Sequence, residues 1–552
     1  MHLVLGSMEP NNLCAALRRA ARSDQGIVIA ATDGHEERRT YGEIYEGARR
    51  RAEALRRRGL ERGDAVIVVL DTSFELVEML FGVMLAGGAV APAYPPVAMA
   101  RLDDYRRLLD HVAQVTSARF VVTDATIGAA IGERAWCDVA TITAEPGVDQ
   151  DPSPDDIGLI QCTSGSTSLP KPAVLLQRNL MANCRALAER TQVGPTDTAV
   201  TWLPLYHDFG LIGALFQALF GPAEHVLMSP ARFIQEPAAW WRAVSSHRAT
   251  ITTAPSFAFG LSTRRVDDDV LDALDLGALR LVVSGGEPIQ PEVIRAFYDR
   301  FARTSLDPAS FCSAYGLAEC CVGVSLGHPS DGLRVQRIRR DALQDAAHPR
   351  AVEATEAADA VEVVSVGAPL TGNVVTVRDP NGVELEPRSV GEIMVRSPSV
   401  MAGYLGDPSS THEVIHEGEL RTGDLGYFDE QGELFVIGRS KHVLIVRGRN
   451  FYAEDIEATV ESLPGVRKGN AYALSAFDDR RGADALTIAV ETRLSDPDER
   501  RELERGITQT VLRHVGVAVQ RVVLAAPHTL PKTSSGKKQR AHCRALVAEA
   551  TS

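Results

Sequence analysis

Between positions 163 and 172 the chain reads Thr163-Ser164-Gly165-Ser166-Thr167-Ser168-Leu169-Pro170-Lys171-Pro172, a run of hydroxyls and small residues closed by a lysine. Glycine lets a backbone approach a ligand, hydroxyls and amides donate to phosphate oxygens, and Lys171 adds positive charge. The run follows an apolar strand-like segment, 158–162, and precedes a helix-like one, which argues against a plain Ser/Gly linker. It is not a Walker loop, because G-x-x-x-x-G-K-[ST] occurs nowhere in the chain. Further candidates follow downstream: Tyr206-His207-Asp208-Phe209-Gly210, Ser284-Gly285-Gly286-Glu287-Pro288, Tyr315-Gly316-Leu317-Ala318-Glu319, Arg421-Thr422-Gly423-Asp424, Gly438-Arg439-Ser440-Lys441 and Pro531-Lys532-Thr533-Ser534-Ser535-Gly536-Lys537. Each has a bland alternative. A lone acid is usually a solvated surface charge, Tyr315 could be ordinary core, and His207 a satisfied structural histidine. Lys441 could be a surface residue, and Lys537 part of a floppy basic tail.

These segments need a frame that holds them together. Apolar runs at 65–70, 120–123, 157–161, 200–204, 250–253, 279–284 and 311–313 read as short strands entering loops, and 41–58 and 73–86 read as helices. Such alternation predicts a layered α/β architecture with mainly parallel sheets, in which ligands sit at the carboxyl ends of strands. After about residue 370, short strands joined by tight turns such as Asp379-Pro380-Asn381-Gly382 predict a small β-rich unit. From Lys441 onward a second α/β pattern predicts a separate small domain. The expected division is a large domain over 1–438, with the β-rich unit at about 370–438, and a small mobile domain over 439–552.

Apolar residues make up 45% and charged residues 24% of the 552, the mix of a globular protein. The formal charge, 58 − 72 = −14, disfavours general binding to nucleic acid, so an anionic ligand must be held by local donors. The eight cysteines show no zinc-ligand spacing and read as reduced thiols of a cytoplasmic protein. No signal peptide or spanning segment is expected. His412-Glu413-Val414-Ile415-His416 matches the zinc-protease pattern H-E-x-x-H, but Gly418 ends that helix early and no third ligand follows, so no zinc site is expected.

Taken in order and at these separations, the segments resemble the superfamily of adenylate-forming enzymes: acyl-CoA synthetases, peptide-synthetase adenylation domains and luciferase. The resemblance runs from about Thr40 to Arg544. Within it the chain is most similar to the fatty acyl-AMP ligases. Trp202-Leu203-Pro204-Leu205-Tyr206-His207-Asp208 is the form those ligases favour, 327–364 falls where they carry an insertion, and the 441–450 segment resembles their hinge. Many CoA ligases have a lysine where this chain has Ile445.

The resemblance implies attack of a fatty acid carboxylate on the α-phosphorus of ATP, with release of pyrophosphate. It implies that Thr163, Ser164, Gly165, Ser166, Thr167 and Lys171 grip phosphates, and that Glu319, with Thr163, holds Mg²⁺. Tyr315 would stack on adenine within a pocket made by Gly285, Gly286, Glu287, Ser313, Ala314, Gly316, Leu317 and Ala318. Asp424 would accept from the ribose hydroxyls, an acceptor-only task suited to a carboxylate, and Arg439 would help fix the ribose. Lys537 would neutralise charge at the forming carboxyl–phosphate bridge, His207 would lie beside the carboxylate, and Lys441 would be the pivot between adenylation and transfer states. His207, Phe209, Gly210, Phe257 and Gly260 would belong to an apolar acyl pocket. The implied acceptor is the phosphopantetheine thiol of an acyl carrier protein, with CoA disfavoured. The insertion is implied to impede the domain motion that CoA chemistry needs, its alternative being a solvated surface excursion. An acyl-CoA ligase, an aryl- or amino-acid-activating enzyme, and an inactive nucleotide- or acyl-binding module are the competing readings. Pro172 stands where the family usually has glycine. It removes one N–H donor and puts the end of the phosphate loop in doubt.

Overall fold

The computed structural model describes residues 10–31, 33–96, 102–132, 135–163, 170–356, 359–446, 449–478, 483–532 and 538–549. The helix Tyr41–Arg57 begins at a capping box, in which the Thr40 hydroxyl accepts from Glu43 N while the Glu43 carboxylate accepts from Thr40 N. Such a cap is worth about 1 kcal/mol. The helix Phe74–Leu85 starts at Ser73, whose hydroxyl accepts from Leu76 N, and every one of its residues except Glu75 is buried. Helices of this kind pack two large sheets.

The first sheet has the strand order Ala368–Pro369, Ser325–Leu326, Phe311–Tyr315, Leu281–Ser284, Ile251–Ala254, Thr198–Thr201, Glu224–Met228, Gly26–Ala30, Glu36–Thr40. From Phe311–Tyr315 to Gly26–Ala30 all neighbours run parallel. The second has the order Gly403–Tyr404, Lys171–Leu176, Ile157–Thr163, Ala89–Pro92, Ala65–Val69, Phe120–Thr123, Cys137–Asp138, parallel from Ile157–Thr163 onward. The parallel strands are apolar on both faces because helices cover them. Leu80, Phe81, Leu215 and Phe216 are among the buried residues of the principal core.

One expectation is corrected here. The hydroxyl-rich run does not lead from a strand into a helix. Strand Ile157–Thr163 is answered by antiparallel strand Lys171–Leu176, with Thr163 opposite Lys171, and the helix Gln177–Thr191 starts only afterwards. The run Pro172–Leu175 is buried, and an apolar run of that length suits a covered strand as well as the start of a helix. Pro172 is absorbed within this strand. It lies opposite Cys162, and its carbonyl accepts from Leu405 N at 2.8 Å.

The β-rich unit is a five-stranded antiparallel sheet of Val374–Arg378, Gly391–Arg396, Glu419–Phe428, Ile415–His416 and Leu434–Arg439. The helix Pro408–Val414 ends before His416, which lies in the strand Ile415–His416, so the two histidines of the zinc-like pattern do not share a helix face.

The C-terminal part has its own core, including Leu444, Ile456, Val460, Ile488, Ile507 and Val511. It lies between the three-stranded sheet of Ala471–Asp478, Ala483–Glu491 and Val519–Ala525 and the helices Ala453–Glu461 and Pro497–His514. The described residues of 327–364 form a folded element: Val335–Arg339 pairs with Ala360–Val364. Its Ile338, Leu343 and Val363 share a buried cluster with Tyr427 and Phe435 of the β-rich unit and Tyr452 of the C-terminal part. Among the described residues no helix is long and apolar enough to cross a membrane.

Candidate active site

The parallel strands Leu281–Ser284 and Phe311–Tyr315 lie side by side, with Ser284 in register with Ser313. Their carboxyl ends therefore deliver Gly285, Gly286 and Glu287 next to Ala314, Tyr315 and Gly316. Close approach demands the glycines. A Cβ on Gly285 would sit 2.9 Å from Ala314 O, one on Gly316 would sit 1.5 Å from Val322 O, and Gly286 has φ +80°. The Glu287 carboxylate accepts from Phe257 N at 2.6 Å, which ties this loop to the helix Ser256–Arg265 that carries Phe257 and Gly260.

Asp424 comes from the strand Glu419–Phe428, directly opposite Arg439. It is only 6% exposed. One carboxylate oxygen accepts from Tyr315 OH at 2.7 Å and the other contacts Arg439 Nε at 2.8 Å. Asp424 holds the guanidinium pKa above its usual value, and burial followed by Asp424 pushes the Tyr315 phenol well above its own. Thr422 fixes the turn: its hydroxyl donates to Ile393 O at 2.7 Å and accepts from Asp424 N at 3.1 Å. Each carboxylate oxygen has two lone pairs, so the group retains capacity for a diol while bonded to Tyr315 and Arg439.

Glu319 sits in the helical turn Ala318–Cys320 just beyond Tyr315. One of its carboxylate oxygens accepts from Tyr404 OH at 2.7 Å, and its carbonyl accepts from Met401 N at 2.8 Å. Lys171 Nζ donates to Ser410 Oγ at 2.7 Å and lies 5.3 Å from the Tyr404 ring centre. Lys171, Tyr404 and Glu319 thus form one side of the crevice. Tyr404 and Ser410 escaped the sequence reading, and a hydroxyl next to a glycine-rich turn carries too little signal to be found alone. Ser164, Gly165, Ser166, Thr167 and Lys537 lie outside the described residues, and Thr163 is seen as the end of its strand.

His207 precedes the short helix Asp208–Gly210, and its Nδ1 lies 2.6 Å from Asp208 Oδ1. The preceding residue is held by Gln161, whose Nε2 donates to Tyr206 O at 3.0 Å. Gly210 lets this turn close against Pro204 O, 2.4 Å from where a Cβ would stand. Phe209 reaches the nucleotide-type loop, 3.7 Å from the Cβ position of Gly286. Phe257 is 40% exposed and stands edge-on to Trp202, ring centres 5.9 Å apart, while Gly260 packs against Val293. After Phe209 comes a π-helical run, Leu211–Phe216, followed by a 3₁₀ turn, Gln217–Leu219.

Two lysines of the C-terminal part feel the charges of this site. Burial and then Arg439 depress the Lys441 pKa, while Asp424 and Glu319 act on it in the opposite sense, so its ammonium senses the crevice from the hinge segment. Burial and then Lys538 depress the Lys532 pKa, and Glu287 is among the carboxylates that raise it. The result is a site with a buried carboxylate flanked by an arginine, a second carboxylate and a lysine gathered around Tyr404, and an aromatic wall leading away from it.

Residues 17–405 match the family model described as AMP-binding enzyme. The chain is 32% identical to the medium-chain-fatty-acid–[acyl-carrier-protein] ligase JamA of Moorena producens, covering 93% of this chain and 90% of that one. It is 33% identical to the long-chain-fatty-acid–AMP ligase FadD26 of Mycobacterium bovis, covering 91% and 90%. A solved structure from work on fatty acyl-adenylate ligases of E. coli and L. pneumophila superposes with a TM-score of 0.92 at 31% identity, covering 99% of each chain.

Proposed function

The chain belongs to the AMP-binding enzyme family of adenylate-forming ligases, and we propose that it activates a fatty acid as its acyl-adenylate and passes the acyl group to the phosphopantetheine thiol of a carrier protein. The observation that carries this reading is the meeting of Asp424, Arg439, Tyr315, Glu319 and Lys171 at the carboxyl ends of the parallel strands. Two anions must approach each other for a carboxylate to attack the α-phosphorus of ATP, so the site must supply charge where charge builds up. Asp424 accepts from the ribose hydroxyls and Arg439 holds Asp424 in place. Tyr315 forms the wall against which adenine lies. Lys171 neutralises the phosphates leaving as pyrophosphate, and Lys537 neutralises the bridge that forms. Glu319 offers one oxygen-ligand carboxylate, the number Mg²⁺ uses when ATP phosphates supply further ligands, and Mg²⁺ there would withdraw charge from those phosphates. Among the described residues no group of three acidic, histidine or cysteine side chains is placed to hold a metal unaided, which fits a metal brought in with the nucleotide.

The element at 327–364 favours a carrier thiol over CoA. Four of its arginines are ion-paired: Arg334 with Glu433, Arg337 with Glu362, Arg339 with Asp341 and Arg340 with Asp455. Asp455 belongs to the helix Ala453–Glu461 of the C-terminal part. Gln344 Nε2 also donates to Val515 O at 3.0 Å, and Asn450 N donates to Gln344 O at 3.0 Å. A solvated excursion would not make the bonds to Glu433, Asp455, Val515 and Asn450. The element clasps the C-terminal part in one orientation, and reorientation has to break the clasp. The test supplies the chain with ATP, Mg²⁺ and a fatty acid, then offers either CoA or a phosphopantetheinylated carrier protein. The expected result is acyl thioester on the carrier and none on CoA over the same time. Rapid acyl-CoA formation would overturn the acceptor assignment.

A further inference from the structure

The segment that ends in Lys537 is followed directly by Lys538 and then by Arg540, and both are anchored on one carboxylate. Glu457, on the helix Ala453–Glu461, has a side chain only 4% exposed. One of its oxygens accepts from Arg540 Nε at 3.0 Å and from Ala473 N at 3.0 Å. The other accepts from Lys538 Nζ at 2.9 Å and Arg540 Nη2 at 2.7 Å. Its acceptor capacity is filled, and the paired Arg540 contacts are the rigid two-pronged kind. Lys538 donates additionally to Glu461 at 2.9 Å, and Glu461 in turn accepts from Gly469 N and Ala471 N. Burial works against the Lys538 ammonium, but Glu457 and Glu461 outweigh it and keep the pKa above its usual value.

The near side of the same segment is fixed as well. Lys532 and Lys538 are bridge partners, Gln539 N donates to Pro531 O at 3.1 Å, and Tyr472 OH donates to Pro531 O at 2.7 Å. Both flanks of 533–537 therefore meet above the helix Ala453–Glu461. The other end of the network reaches the hinge. Arg540 Nη1 lies 3.1 Å from His442 Nδ1, and Glu454 Oε1 lies 3.1 Å from the same nitrogen and 3.2 Å from Arg540 Nη2. His442 follows Lys441 directly.

We infer that Glu457 is a positioning residue for adenylation: by fixing Lys538 and Arg540 it anchors the chain immediately after Lys537, and through Arg540 and His442 it ties that anchor to the hinge. A lysine serving a forming bond must be held to a fraction of an ångström, and a misplacement of about 1 Å costs about 100-fold in rate. Many ion pairs in a fold contribute little, and a buried cluster that fills every acceptor is better suited to specifying geometry than to adding stability.

This inference rests on the role given to Lys537 above, and the test separates the two. Adenylate formation is measured by mass in four proteins: the unaltered chain, Glu457→Gln, Lys537→Ala, and both together, at stoichiometric enzyme so that slow rates are read. Glu457→Gln is expected to lower kcat by about 10- to 100-fold with KM for ATP unchanged, and to have no further effect when Lys537 is already alanine. Equal losses in the two backgrounds would overturn the inference, as would unchanged kcat in the single variant. Loss of activity together with a collapsed melting temperature would shift the decision to Arg540→Lys, which keeps the charge and removes the fork. The same non-additivity with Lys537→Ala is expected there, and additivity overturns the inference. Absence of adenylate from the unaltered chain is a different result and would count against the proposed function itself.

Discussion

Asp424 illustrates what a single side chain contributes here. It is buried, flanked by a phenol and a guanidinium, and able to accept further hydrogen bonds, which is the chemistry a vicinal diol needs. A surface aspartate of the same sequence would offer none of this. The opposite case is His225, which has no site role. It is fully buried in the strand Glu224–Met228, between Ile27 and Ala199, and neither ring nitrogen has a hydrogen-bond partner. Burial alone pushes its pKa down to about 4, below the 6.5 of a free imidazole. The folded state therefore refuses a proton that the unfolded chain accepts. No stability is lost above pH 6.5, and the loss grows as pH falls from 6.5 and is complete near 4. It amounts to about 3 kcal/mol from this residue. Denaturant unfolding at pH 7 and pH 4.5 checks this: His225→Phe is expected to lose less stability between the two than the unaltered chain does, and equal losses would contradict it.

At the scale of elements, the clasp at 327–364 makes the sharpest prediction. Replacing Arg340 alone would strand Asp455 as an unpaired buried charge, so the informative variant is Arg340→Met with Asp455→Leu, which removes the pair and keeps volume. If the clasp restrains reorientation, weakening it by about 1.4 kcal/mol raises the reoriented population about tenfold. Acyl-CoA formation should rise accordingly in a thioester assay while adenylate formation stays unchanged, and no rise would remove the clasp from the account. Much of this level could be read in the sequence. The strand 120–123 and the helix at 41–58 appear as expected, because period and capping are local signals. The phosphate loop's return as an antiparallel strand was not legible, because buried strands and buried helix starts share one apolar pattern. The fold of 327–364 was not legible either, since its cluster of arginines followed by an Ala-rich, mostly acidic segment reads as a solvated stretch until Glu433 and Asp455 are brought close to Arg334 and Arg340 by tertiary structure.

For the whole molecule, the site exists because two sheets, a β-rich unit and a C-terminal part converge on one crevice. Motif order in the sequence announced the participants, but not the contacts among them: Tyr404 beside Glu319, Ser410 beside Lys171, and Glu457 under the lysine segment come from residues 85, 239 and 83 positions apart from their partners. Long-range pairing of that kind leaves no trace in local composition. The central claim is that this crevice joins a fatty acid to AMP. Its most direct test is mass spectrometry of the small molecules held by the chain after exposure to ATP, Mg²⁺ and a mixture of fatty acids. The account predicts an acyl-adenylate with one pyrophosphate released per adenylate formed, and far less of both from Lys537→Ala over the same time. An acyl phosphate accompanied by ADP, or no activated acid from the unaltered chain with any acid in the mixture, would contradict it.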